Sequence, residues 1–249
     1  MIVSQRQRAF YAYCVKTLGS IIKDTNAIFV VDAISSLGAL EIKTDEWSID
    51  MLISGSQKGL MLPPGLGFIS VSPKSQKLID SCKSPRYYFD LRLAKKAWEK
   101  TDTPFTPAII TIIALNEVLK EMRKETLEVI FARNKKLADS VRKTMIALGL
   151  ELYAPGVSSD SITPVKVPAG IDGEKLVKVM RDEYGVAIAE GQAQLKGKIF
   201  RIAHMGYIRE DDLIVCIETL EKVLSDMGYK FKRGVGVETI KKLLGQMKT

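Results

Sequence analysis

The sequence predicts an α/β protein, with a mostly parallel sheet in its first half and a smaller α/β domain in its second. Three observations carry this expectation. Short β-branched and aromatic runs are separated by helical or loop crossovers in the first half, the pattern of a parallel sheet. An almost continuously helical pattern then occupies residues 109–148. After Gly149, strand-like and helix-like segments interleave over roughly 100 residues, a common domain size. The expected division is a partial ligand-binding large domain with its connecting helix over residues 1–125, and a small domain over residues 126–249.

Taken in order, residues 15–23 have helical spacing and lead through Asp24-Thr25-Asn26 into the strand Ile28-Phe29-Val30-Val31. Thr44-Asp45-Glu46 interrupts the chain before a second strand, Met51-Leu52-Ile53. A Pro63-Pro64-Gly65 turn precedes a third, Leu66-Gly67-Phe68-Ile69-Ser70-Val71, and Ser72-Pro73-Lys74-Ser75 reads as a helix start. In the long helical stretch Ile112, Leu115, Val118, Leu119 and Met122 recur near helical spacing. The second half predicts a strand at 162–167, a helix at 173–184, strands at 186–189 and 200–203, a helix at 209–228 and a short one at 237–247. Residues 1–14, including Arg6-Gln7-Arg8, Phe10, Tyr11 and Tyr13, have no clear periodicity.

Composition narrows the function classes. With 46% hydrophobic and 27% charged residues among 249, the chain is expected to build a substantial core and to be soluble. Its apolar stretches are much shorter than the roughly 20 residues a membrane helix needs, and no signal-peptide pattern opens it. Cys14, Cys82 and Cys216 are widely spaced and suit a reducing compartment, so a cytoplasmic protein is expected. A single histidine, His204, and no cysteine cluster argue against a metal site. The net charge of +8 is spread along amphipathic segments, so neither nucleic acid nor a membrane is an expected partner, although it can steer small anions.

Two charged residues stand out against this background. Asp32 ends the first strand, and Lys58 follows the second through Ser54-Gly55-Ser56-Gln57. In open α/β sheets ligands gather beyond the carboxyl ends of the strands, so an acid and an amine delivered there can face one molecule. A lysine at the edge of a buried site can lose its proton and condense with a carbonyl. Pyridoxal phosphate chemistry needs that lysine together with an acid that keeps the pyridine nitrogen protonated. Each residue alone would read as an ordinary turn acid or a surface lysine.

The stretches Val31-Asp32-Ala33-Ile34-Ser35-Ser36-Leu37-Gly38, Gly55-Ser56-Gln57-Lys58 and Pro63-Pro64-Gly65-Leu66-Gly67, with Lys58 standing 26 positions after Asp32, resemble the cofactor region of class V aminotransferases. Within that class they look most like the alanine-glyoxylate and serine-glyoxylate (serine-pyruvate) group. The resemblance implies a fold-type I enzyme that binds pyridoxal 5'-phosphate. Lys58 would form the Schiff base and shuttle the proton, and Asp32 would pair with the ring nitrogen. Ile34 would pack on one ring face, and Gln57 would contact the phosphate. Thr103-Pro104-Phe105-Thr106-Pro107 resembles the segment that lends a threonine to the cofactor of a neighbouring subunit in a homodimer; Thr106 fits the spacing better than Thr103, and both stay open. Gly197-Lys198-Ile199-Phe200-Arg201-Ile202-Ala203-His204-Met205-Gly206 resembles the small-domain strand whose arginine grips the substrate α-carboxylate, a task suited to its planar fork. His204 reads as a packing or turn residue.

The resemblance implies transamination between a small α-amino acid, alanine or serine, and a 2-oxo acid, glyoxylate or pyruvate. It starts near Val15, and the long preceding segment of the family has no counterpart, so the chain looks like the C-terminal portion of such an enzyme. Two other readings stand beside it: a catalytically incompetent fragment or partner chain, and another pyridoxal phosphate reaction such as a desulfurase or lyase. A desulfurase needs a mobile nucleophilic cysteine, and none of the three lies in a glycine- or serine-rich loop.

Overall fold

The structure, a computed structural model, describes residues 2–4, 15–156 and 158–245. Residues 5–14, where the aperiodic N-terminal reading falls, and the last residues of the helix expected at 237–247 lie outside the described residues. The chain divides into two compact units. The first comprises Met1–Arg6, Tyr13–Leu37 and Ile42–Lys124, and the second is chiefly Glu125–Thr249 with Gly38–Glu41.

The first unit is built on a sheet of β1 (Ile2–Ser4), β2 (Val30–Asp32), β3 (Met51–Gly55) and β4 (Gly67–Val71), in that spatial order. β1, β2 and β3 run parallel. β4 is antiparallel to β3, with Gly55 opposite Gly67, so the loop between them returns the chain directly alongside. The parallel expectation fails for this strand because residues 56–66 contain no helix to carry the chain back to the starting edge. α1 (Val15–Ile22) presses Val15 and Ile22 onto a core of Phe29, Val31, Ile49 and Leu52. Gly19 permits that approach, since a Cβ there would lie 1.8 Å from the Trp47 carbonyl oxygen.

The amino end of β3 is tied down by Asp50, which is buried. Its carboxylate accepts the Phe29 N–H at 2.9 Å and the Ser72 hydroxyl at 2.9 Å, and Lys74 stands 3.5 Å away. Ser72 also caps α2 (Pro73–Ser81), accepting the Ser75 N–H, with Pro73 in the first helical position where its missing N–H costs nothing. α3 (Leu91–Trp98), capped by Asp90, follows in a stretch that the periodicity left unassigned.

The long helical pattern at 109–148 proves to be two helices, α4 (Ile109–Glu125) and α5 (Leu127–Ala147). Thr126 breaks them with φ 70 and ψ 151, a backbone state outside the helical region and uncommon for a β-branched residue. The apolar recurrence in α4 does not mark a core face, because Met122 alone of its residues is buried and Ile112 and Leu119 are exposed.

The second unit holds an antiparallel sheet of β5 (Ile162–Lys166), β7 (Ile199–Ala203) and β6 (Ala189–Glu190), in the order β5-β7-β6. Pro164 is tolerated because β5 is an edge strand. β6 is shorter than the strand expected at 186–189 and starts later. α6 (Gly173–Tyr184), capped by Asp172 and ended by left-handed Gly185, α7 (Glu210–Asp226) and α8 (Val235–Leu244) join α5 around a core that includes Leu137, Met145, Phe200, Ile217 and Leu220. No helix of the described residues is long and apolar enough to cross a membrane.

Replacing Asp50 with alanine leaves the buried Phe29 N–H and the Ser72 hydroxyl without their acceptor. The expected loss is about 2 kcal/mol of unfolding free energy, read as a lowered urea midpoint at unchanged slope.

Candidate active site

Asp32 is the last residue of β2 and stands level with Ile53 of β3 in the parallel register. Pairing continues for one residue beyond it: the Ala33 N–H donates to the Ile53 carbonyl at 2.7 Å, and the buried Ser54 hydroxyl donates to the Ala33 carbonyl at 3.3 Å. The half-buried Asp32 carboxylate accepts the Ile34 N–H at 3.2 Å, which starts the turn in the manner of an Asx turn. Ile34 is half-buried in that turn. In the same turn, the buried Ser36 hydroxyl has no hydrogen-bond partner among the described residues.

Lys58 follows the carboxyl end of β3, so the two residues extend from the same edge of one parallel strand pair. Its loop is closed at the base by the Gly55–Gly67 pair and, one step further, by Ser56, which is fully buried. The Ser56 N–H donates to the Leu66 carbonyl at 3.1 Å, and its carbonyl accepts the Leu62 N–H at 3.1 Å. Its hydroxyl donates to the Pro63 carbonyl at 2.7 Å and accepts the Leu66 N–H at 3.2 Å. Within this closure the Lys58 carbonyl accepts the Met61 N–H at 3.0 Å, and Met61 takes a positive φ of 58. Lys58 is half-buried, whereas Gln57 is exposed and folds its amide over Gly55, where a Cβ would lie 2.7 Å from Gln57 Oε1.

Thr103 and Thr106 both lie in the exposed segment before α4. The Thr103 hydroxyl donates to the Phe105 carbonyl at 2.7 Å and so holds the local turn. The first turns of α4 reach the Lys58 loop, because a Cβ at Gly65 would sit 3.5 Å from Thr111 Oγ1.

Arg201 occupies the middle of β7 in the second unit. The residue is 5% exposed, and its guanidinium turns one edge onto the Glu190 carbonyl, with Nε at 3.0 Å and Nη2 at 2.6 Å. Burial pulls its pKa down and the Glu190 charge opposes this, yet a guanidinium stays protonated. His204, just beyond β7, is fully buried and takes the packing place expected of it. Its Nε2 lies 2.9 Å from the Thr163 hydroxyl and its Nδ1 lies 3.2 Å from the Asp160 carbonyl.

An acid and an amine leave one parallel strand edge in the first unit, and a buried arginine lies on a strand of the second. The Aminotransferase class-V family model matches residues 13–213. The chain belongs to the class V aminotransferases. The fold is that of fold-type I pyridoxal phosphate enzymes, and pyridoxal phosphate is the family's cofactor. The soluble hydrogenase small subunit of Synechococcus sp. (strain PCC 6716) is 42% identical over 220 residues, covering 88% of this chain and 57% of that protein. The serine–glyoxylate aminotransferase of Methylorubrum extorquens is 38% identical over 218 residues, 85% of this chain and 54% of that one. The crystal structure of ureidoglycine-glyoxylate aminotransferase from Bacillus subtilis superimposes with a TM-score of 0.92 at 29% identity, over 98% of this chain and 65% of that one. The chain therefore spans little more than half the length of these curated relatives.

Sequence reasoning named the charged residues of this edge and missed its buried hydroxyls. Ser54 and Ser56 were legible only as small polar residues beside a glycine, a pattern that does not reveal which backbone groups a hydroxyl will reach. The Glu190 carbonyl that orients Arg201 was missed as well, because a backbone acceptor has no signature in side-chain type.

Burial pushes the His204 pKa down to about 3 from an ordinary 6.5, so the folded state holds a neutral ring. Protonation then favours the unfolded chain, and the stability present above the unfolded pKa is lost as the pH falls. Between pH 7.5 and pH 5 the expected loss attributable to this residue is about 2 kcal/mol, read as the difference between urea unfolding of the wild type and of His204→Gln at the two pH values.

Proposed function

We propose that the chain carries the lysine, the ring-nitrogen acid and the carboxylate-binding arginine of an aminotransferase that moves an amino group between a small α-amino acid, alanine or serine, and a 2-oxo acid, glyoxylate or pyruvate. The observation that carries this reading is the delivery of Asp32 and Lys58 to one carboxyl edge of β2 and β3. The names of two relatives, a serine–glyoxylate and a ureidoglycine-glyoxylate aminotransferase, support glyoxylate as the acceptor.

The residues at this edge fit pyridoxal 5'-phosphate by donor chemistry: a carboxylate for a pyridine nitrogen, an amine for an aldehyde and an amide for a phosphate. When bound, the cofactor supplies an aldehyde that takes up amino groups and a ring that draws electrons from the substrate α-carbon. Lys58 would hold the cofactor aldehyde through Nζ and would move the proton of the substrate α-carbon. Asp32 keeps the proton on the ring nitrogen, where the negative carboxylate favours the charged form. Ile34 shields one ring face, and Gln57 donates to the phosphate. Thr106 is the better candidate for the phosphate of a homodimer partner, since Thr103 already spends its hydroxyl on the Phe105 carbonyl. Arg201 grips the α-carboxylate with a fork that the Glu190 carbonyl orients.

The alternative reading is a catalytically incompetent fragment or partner chain that holds no cofactor. Turnover assays of the 249-residue chain separate the two.

Titration of the chain with pyridoxal 5'-phosphate is expected to raise a visible absorption band that Lys58→Ala abolishes; a band equally strong in the variant contradicts the lysine assignment. In any form of the protein that turns over, Arg201→Ala is expected to raise the Michaelis constant for the amino donor at least about tenfold, the size of a lost bidentate carboxylate contact.

A further inference from the structure

The Lys58 loop is a tight return between two strands, anchored at its base by the fully buried Ser56. Backbone groups buried there must find partners. Ser56 answers most of that demand: its own N–H and carbonyl bond to Leu66 and Leu62, and its hydroxyl serves the Pro63 carbonyl and the Leu66 N–H together. Lys58 stands two residues further on, in a segment whose next turn holds Met61 at positive φ. A strained turn persists only where its surroundings over-determine it. Ser56 supplies that constraint from inside, because its hydroxyl reaches across the loop to the limb opposite Lys58.

We propose that Ser56 is the positioning residue of Lys58, its buried hydroxyl holding the loop in the one form that aims the lysine amine at an aldehyde. The inference rests on the assignment of Lys58 as the cofactor lysine. It goes beyond that assignment in giving the aim of the amine to a side chain that touches neither cofactor nor substrate. Removing the hydroxyl leaves the Pro63 carbonyl and the Leu66 N–H without the partner they share. The loop relaxes by turning those groups outward, and Lys58 turns with them.

The test uses the full 249-residue chain, with pyridoxal 5'-phosphate as probe and borohydride as reductant. The Lys58 amine attacks the aldehyde carbon, the carbonyl oxygen leaves as water, and hydride from borohydride fixes the product as a secondary amine that peptide mass spectrometry locates. The readout is the labelling rate at Lys58 divided by that at exposed Lys178, at a temperature where every variant is folded by circular dichroism. Ser56→Ala is expected to lower this ratio about tenfold, and Ser56→Thr, which keeps the hydroxyl, to restore it within about twofold. Ser56→Cys, close in volume and weaker as a partner, should fall between them, which keeps the test intact if threonine overfills the site. A folded Ser56→Ala protein with the wild-type ratio overturns the positioning role while leaving the lysine assignment standing. A wild-type chain with no preference for Lys58 overturns the lysine assignment, and the inference with it.

Discussion

β2 and β3 lie side by side in the same direction, with Asp32 level with Ile53, and this pairing determines where the chemistry of the first unit gathers. A parallel pair sends both strands out of the sheet at one edge, so the acid that ends β2 and the lysine that follows β3 leave from the same side. An antiparallel register would send them to opposite ends. The pairing is set by ordinary forces: Val31 and Leu52 are buried with Phe29 and the α1 residues, and a slip of one residue would turn that face outward.

β3 is held at both ends by polar groups rather than by apolar packing alone. Asp50 joins its start to Phe29 and Ser72, and Ser56 closes the loop at its finish. Both are buried polar residues that accept from or donate to backbone groups, Asp50 bonding the Ser72 hydroxyl as well, and such bonds are costly to lose. Arg201 follows the same logic in the second unit, where a backbone carbonyl orients a buried charged fork. Under the proposed function, Lys58 and Arg201 would each be aimed by a neighbour that performs no chemistry.

Much of this was legible in the sequence, because the signals involved are local. Strand runs such as Met51-Leu52-Ile53, the Ser72-Pro73 cap and the Asp172 and Gly185 ends of α6 follow from residue type and spacing. The acid and the lysine were legible because each follows an apolar strand run, Asp32 directly and Lys58 through a short polar loop. What escaped was set by geometry over longer range. The direction of β4 depends on whether a loop can cross the sheet, and the break at Thr126 depends on one backbone angle in a stretch of helix-forming residues. The spacing of Ile112 and Leu119 in α4 is truly helical, but periodicity does not say whether a face is covered. The role of Ser56 depends on which carbonyls the folded loop brings within reach.

A crystal structure of this chain grown with pyridoxal 5'-phosphate tests the central claim most directly. The account predicts continuous density from Lys58 Nζ to the cofactor, with the ring nitrogen within hydrogen-bond distance of the Asp32 carboxylate. Cofactor joined to another lysine, or bound at Lys58 with its ring nitrogen turned away from Asp32, would contradict it.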